Sequence, residues 1–216
     1  MKLELRAIRR SEVGRVELPA GFGLLVVDRL AALVEVAAEG ADLRDRERLR
    51  RYQKALDLCW QEGAITLLPV RAGAIFSHPS EIARLLQERA AEFERDLTRL
   101  EGKVELGLRL ALINKAESAP PNPPAPSGQS RGLAYMQQLV QRQTQEQNHL
   151  KKVEAIIEEL ATLALEQSYL PPAPNATFAE VAFLLKREDV VSFKTQLQHC
   201  ALPAIIIGPT PPFSFV

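Results

Sequence analysis

Apolar and polar positions in this chain change period several times, and each change marks an element. Leu3, Leu5 and Ala7 alternate with Lys2, Glu4 and Arg6, which predicts a half-exposed strand. Gly21-Phe22-Gly23 reads as a turn and Leu24–Val27 as a short buried strand. Asp28 suits the N-cap of an apolar segment, Leu30–Ala38, that Gly40 would close as a helix. A second helix is expected from about Asp42 to Gln61, with Leu49, Tyr52, Leu56 and Cys59 at helical spacing and Gly63 as its stop. Ile65–Gly73 reads as a strand ending in a turn. Ser77 and Pro79 then open a helix whose inner face is Ile82, Leu85, Leu86, Phe93, Leu97 and Leu100, ended by Gly102. From Val104 to Leu112 the alternation is cleanest, as for a strand with one buried face.

The proline-rich stretch from Glu117 to Ser130 predicts an exposed loop. A helical region follows from Gly132 to about Ser168. Its second half carries Leu150, Val153, Ile157, Leu160 and Ala164 as a narrow seam for another helix. Phe178–Leu185 is apolar on both faces, as a central strand should be. A helix opened by Glu188 and Asp189 follows, then a strand at Ile205–Ile207.

This order predicts an α+β protein. Residues 1–62 form a small α+β unit. Residues 63–207 form a second domain, which reads βαββαβ, the ferredoxin-like arrangement, once residues 132–168 are set aside as a helical insertion.

The tail, Gly208-Pro209-Thr210-Pro211-Pro212-Phe213-Ser214-Phe215-Val216, cannot be an interior strand, because its prolines offer no N–H to a ladder. It is nevertheless apolar and stiff. Burial of Phe213, Phe215 or Val216 would contribute about 1.5–3 kcal/mol each, so the tail is expected to lie in a groove of its own protein.

Charge narrows the partners. Of 216 residues, 27 are Lys or Arg and 27 Asp or Glu, giving a formal net charge of zero. That argues against nucleic acid or an anionic membrane as the main partner. RNA binding on a ferredoxin-like sheet would need exposed aromatics on a basic face, and the central strands offer Phe178 and Phe183 with little Lys or Arg. Arg44, Arg46, Arg48, Arg50 and Arg51 alternate with Asp42, Asp45 and Glu47, the pattern of a solvated helix face. Cys59 and Cys200 read as two buried thiols in a reducing compartment. Neither a signal-peptide run nor an apolar stretch of membrane-spanning length is expected, which points to a protein made in the cytoplasm.

Candidate chemistry is thin. His78, His149 and His199 stand apart with no metal-ligand spacing around them, so no metal is expected. The Gly21–Gly23 turn lacks the third glycine of a dinucleotide loop, and no cofactor is expected. No phosphate loop or nucleophile elbow occurs. Arg71 and Glu105 fall where neighbouring strands would bring them together, as a structural ion pair or, on the minority reading, as part of an active site. That minority reading is a ferredoxin-like ligand-binding module or enzyme, which would show a sizeable polar pocket around those two residues.

Four ordered blocks resemble the gas vesicle protein F/L family (GvpF/GvpL). Gly208–Phe215 is similar to the family tail Gly-Pro-Trp-Pro-Pro-Tyr-Ser-Phe, with Thr210 for Trp and Phe213 for Tyr. Pro69 and Arg71 lie in a block like Leu-Pro-(Val/Leu)-Arg, which the family usually follows with Phe-Gly-Thr, whereas here Ala72 and Ala74 flank Gly73. Gly102, Glu105 and Gly107 match Leu-x-Gly-Lys-x-Glu-(Trp/Leu)-Gly, and Gly132 and Tyr135 match Gly-x-x-Tyr-Leu. Pro209, Pro211, Pro212 and Phe215 complete the tail block. The first strand departs from the family's Tyr-(Leu/Val)-Tyr-Gly-Ile opening. The resemblance implies a non-enzymatic minor component of the gas vesicle that takes part in assembly and binds the shell protein and accessory gas vesicle proteins. It also implies a gas-facing location, a modified ferredoxin-like second domain and a tail packed between two domains.

Overall fold

The computed structural model describes residues 2–12, 16–37, 46–61, 64–112, 131–170, 177–200 and 203–216. The expected helix start at Asp42, the stops at Gly40 and Gly63 and the proline-rich loop lie outside them. The chain divides into two compact units. The first comprises Met1–Leu106, Leu184–Glu188 and Gly208–Val216, and the second Gly107–Phe183 and Asp189–Ile207. The division therefore does not fall at residue 63, and the tail belongs with the N-terminal half of the chain.

The first unit is built on strands β1 (Leu3–Arg10), β2 (Phe22–Val27) and β3 (Leu30–Val36), with the short β4 (Leu68–Pro69) and β5 (Ile75–Phe76). The path runs β2-β3-β1-β4, and β5 also pairs with β1. Leu30–Val36 is thus a strand and not a helix. Asp28, expected as an N-cap, instead turns the β2–β3 hairpin in a left-handed conformation with φ 52°. Asp is among the residues that tolerate that region. The run Leu-Ala-Ala-Leu-Val-Glu-Val has no period of its own, and two flanking strands decide its state.

A β-bulge interrupts the β1–β3 ladder between Leu5 and Ala7. The extra residue shifts the alternation, so Leu3, Leu5 and Ile8 join one core cluster with Ala32, Val34, Ile82, Leu86, Phe93 and Leu97. That cluster lies between the sheet and helices α2 (Pro79–Glu88) and α3 (Ala90–Arg99). These replace the single expected helix, with a break at Arg89. Pro79 starts α2 and His78 takes the cap position in place of Ser77. Ser77 instead donates its backbone N–H to Glu81 at 2.9 Å. Helix α1 (Arg46–Trp60) packs Arg48 and Tyr52 onto the opposite side of the sheet. β1 is therefore buried on both faces, not half-exposed.

Strands β6 (Lys103–Ala111), β7 (Glu166–Leu170), β8 (Phe178–Lys186) and β9 (Ala204–Thr210) form a second sheet in the order β7-β8-β6-β9. With α4 (Arg131–Ala161) and α5 (Val190–His199), the chain order is β6-α4-β7-β8-α5-β9. This is the βαββαβ arrangement, with the first and third strands central. The fold class is as expected, but its parts are shifted. The presumed insertion α4 is the motif's first helix, and Glu166–Leu170, read as helix end, is its second strand. The stretch Ile65–Gly73 and the helices after it belong to the other unit. Buried residues of the second unit include Leu108, Leu110, Val153, Ile157, Leu160, Val181, Phe183, Phe193 and Leu197. Phe183 and Phe193 meet with ring centroids 5.1 Å apart.

Candidate functional site

The tail forms a latch inside the first unit. β9 ends at Thr210 as an outer strand, where Pro209 is tolerated because no ladder N–H is needed there. The Gly208–Pro209 peptide is cis, and Gly208 has φ +111°. A Cβ at Gly208 would stand 2.8 Å from the Glu105 carbonyl oxygen, so only glycine fits the approach. Pro211 and Pro212 are buried, and Phe215 packs against the core cluster. Phe213 and Val216 remain exposed, at 41% and 54%. The prolines and one ring, not the three large side chains, anchor the tail.

Glu105 holds the latch. Its carboxylate accepts the Ser214 backbone N–H at 2.7 Å and the Ser214 hydroxyl at 2.9 Å. Burial pushes the Glu105 carboxyl above its ordinary range, and the two Ser214 bonds pull the other way without cancelling the shift. Arg99 donates to the Phe215 carbonyl. Arg71 is exposed two residues beyond β4 and the Glu105 carboxylate is engaged by Ser214, so the expected Arg71–Glu105 ion pair does not form.

A second constellation was hidden in alternation that read as solvent-facing. Arg6 donates through Nε to Glu35 at 2.8 Å and meets Glu4 through Nη1 at 2.9 Å. Arg48 reaches Glu4 at 2.7 Å and Glu35 at 3.1 Å. Two acids and two guanidiniums thus close a ring, and all four residues are no more than 9% exposed. The Gly73 N–H, held at φ +100°, adds a bond to Glu4 at 2.8 Å. The Arg6 guanidinium lies 4.7 Å from the Tyr52 ring centroid. Burial would raise Glu35, but Arg48 and Arg6 outweigh it and hold the carboxyl below its usual range. Burial pushes the Tyr52 hydroxyl up to about 12. The ring fastens α1 to the sheet, and with every charge paired it offers no free acid or base.

The remaining family-motif residues are dispersed. Pro69 is buried in β4 opposite Ala7. Gly102, at φ +68°, turns the chain from α3 into β6. Gly107 lies against Ile207. Gly132 and Tyr135 fall in the first turns of α4. His149 Nε2 is 2.7 Å from the Ala111 carbonyl and His199 Nδ1 is 2.8 Å from that of Thr195, while the exposed His78 stands at the N-cap position of α2 without a side-chain cap bond. Cys59 is buried, which pushes its thiol up, and Cys200 is only half-buried. Among the described residues no group of three His, Cys, Asp or Glu is placed to hold a metal. A groove of about 830 Å³ runs beside β2, lined by apolar residues such as Val16, Leu18, Phe22 and Leu24, with Arg9 and Glu17. Neither Arg71 nor Glu105 lines it.

These features define an α+β protein with a ferredoxin-like strand order and a proline-stiffened tail latched by a buried carboxylate. Its sequence matches the family described as "Gas vesicle synthesis protein GvpL/GvpF" over residues 14–216, and the chain belongs to that family. It is 29% identical over 217 residues to gas vesicle protein F of Streptomyces sp. (strain CB03234), covering 92% of this chain and 89% of that one. The fold is shared with the crystal structure of GvpF from Anabaena sp. PCC7120, at a TM-score of 0.72 and 19% identity over 99% of this chain and 97% of the other. It is equally shared with GvpF from Microcystis aeruginosa, at 0.72 and 17% over 99% and 98%. Among the described residues, no helix is long and apolar enough to cross a membrane.

Proposed function

We propose that the protein is a minor structural and assembly component of the gas vesicle, binding shell and accessory gas vesicle proteins while the vesicle forms. The observation that carries this reading is the family match from residue 14 through the latched tail to residue 216. The geometry is compatible with it. The four buried charges of Glu4, Arg6, Glu35 and Arg48 are spent on internal pairing, and the exposed apolar side chains include Ile205, Ile206 and Ile207. No substrate chemistry is needed for such a role, because contact surface is what it requires. On this reading the chain is made in the cytoplasm and joins the growing vesicle. The test is capture of purified shell and accessory gas vesicle proteins by the tagged full chain, paired with deletion of its gene in the host. Binding at micromolar concentration together with loss of normal vesicles supports the role. Absence of both overturns it.

A further inference from the structure

Among the described residues, β9 is an outer strand paired with β6 alone. Such a strand leaves alternate N–H and C=O groups without a ladder partner, and proteins ordinarily guard the row with charge, an internal proline, a bulge or a covering element. The other edge of the same sheet follows that rule. β7 reads Glu166-Gln167-Ser168-Tyr169-Leu170, opening on a charge and polar over its first three residues. In the first sheet, the outer strand β2 is mostly half-buried and has α2 against it.

Among the described residues, the stretch of β9 between Pro203 and Pro209 carries no charge and no internal proline, and no covering element is seen against it. Ile205, Ile206 and Ile207 are 53%, 38% and 48% exposed. Successive side chains point to opposite faces of a strand, so apolar surface is offered on both sides of one edge. Gly107 of β6 sets no side chain beside Ile207, whose Cβ stands 3.3 Å from where a Cβ on Gly107 would be. No Asp, Glu, Lys, Arg or His occurs from Cys200 to Val216.

We propose that this edge accepts an extended strand from another polypeptide, uncharged and rich in β-branched side chains, paired through the backbone. The unpaired row dictates the partner's conformation, since strand addition satisfies it and a helix has no main-chain groups to give. The neutral, apolar surround dictates its chemistry, since a charged strand would bury unpaired charge against isoleucine. The two prolines confine the register to Ala204–Gly208. A strip this narrow falls well short of the roughly 800 Å² per partner of a lasting dimer. A second copy held by this edge alone would not persist, whereas a strand borne by a larger partner adds contacts beyond it. The proposal rests on the assembly reading only for the identity of the strand's owner.

The test is amide hydrogen exchange of the full chain titrated with a short synthetic peptide whose core alternates Val, Thr and Ile, with terminal lysines for solubility. Expected is at least about tenfold slower exchange of the unpaired amides along Ile205–Ile207. Peptide binding should weaken more than about tenfold in Ile206→Lys, with circular dichroism confirming the fold and Ile205→Lys as the second edge variant. Val191→Lys, at a position 74% exposed on α5, should bind as the parent does. Unchanged exchange at Ile205–Ile207 in the folded chain overturns the proposal. So does a dimer seen by sedimentation that Ile206→Lys abolishes while the peptide fails to bind. Neither result touches the assembly role, which is judged by capture of vesicle components.

Discussion

Ser214 closes onto Glu105 twice, through its backbone N–H at 2.7 Å and its hydroxyl at 2.9 Å, across a sequence separation of 109. One buried carboxylate thus fixes the end of the chain against the start of β6. The bonds also supply partners for a carboxylate that would otherwise be buried bare.

Removing that acceptor should release the tail. Glu105→Ala is expected to cost about 1–3 kcal/mol, the penalty for a lost buried acceptor with its donors stranded. For a chain of this size that lowers the thermal midpoint by about 2–4 °C per kcal/mol. Deleting Pro211–Val216 should lower it by a similar or larger amount and raise protease sensitivity at the new end. An unchanged midpoint in both would show that the tail contributes nothing to stability.

Glu105 also sets a pH dependence. Its folded carboxyl titrates above the ordinary value of 4.5. Its contribution is therefore full below about pH 4.5 and is lost as pH rises through the raised value. Glu105→Gln removes this titration and keeps an oxygen for the Ser214 N–H. Urea midpoints of parent and variant should favour the parent most at acid pH and converge or cross as pH rises. Parallel profiles would refute the assignment.

The Glu4–Arg6–Glu35–Arg48 ring should respond in the opposite sense. The Glu35 carboxyl lies below its ordinary value, so its contribution is present above about pH 4.5 and is lost as pH falls through the lowered value. Breaking the ring by Arg48→Ala or Glu35→Gln should cost about 3–5 kcal/mol, because an uncompensated buried charge remains. The double variant should cost less than the sum, and chemical denaturation of the cycle reads this directly.

Gly208→Ala should be worse than Gly21→Ala. Both glycines have positive φ, at 111° and 87°. At Gly21 an added Cβ meets nothing within 4 Å, so only the backbone strain of about 1–2 kcal/mol applies. At Gly208 the Cβ also strikes the Glu105 carbonyl at 2.8 Å, and the latch must open or shift. Equal midpoints for the two variants would count against the close approach.

Much of the fold was legible in local pattern. The Val104–Leu110 alternation, the inner face of α2 and α3 and the apolar centre of β8 each bury what their periods predict. The βαββαβ order was legible too, but not which elements compose it. Glu166–Leu170 has little apolar signal and follows a long helix, so only its place beside β8 makes it a strand. Ile65–Gly73 looked like one strand because periodicity says nothing about which sheet a short apolar run joins.

Among the site residues, the tail announced itself through composition, since prolines and aromatics together are stiff and apolar. Its acceptor did not. Glu105 sits in a strand where alternation alone would turn it to solvent, and its partner is far away in sequence. The same holds for Glu4 and Arg6, whose exposed appearance depended on no helix lying over them. Arg48 was one of several arginines in a charged helix, and nothing local set it apart from Arg46, Arg50 or Arg51.

The sequence by itself determined which segments carry apolar faces, where glycine and proline stop them, and that a neutral, stiff tail needs burial. These follow from side-chain period, backbone restriction and charge, all local properties. Tertiary structure alone decided that Leu30–Val36 is a strand, that four charges of β1, β3 and α1 are sealed together, and that the tail closes on Glu105. Each of these depends on which distant surface arrives to pair, cover or accept a hydrogen bond, and burial is a property of that meeting rather than of any residue.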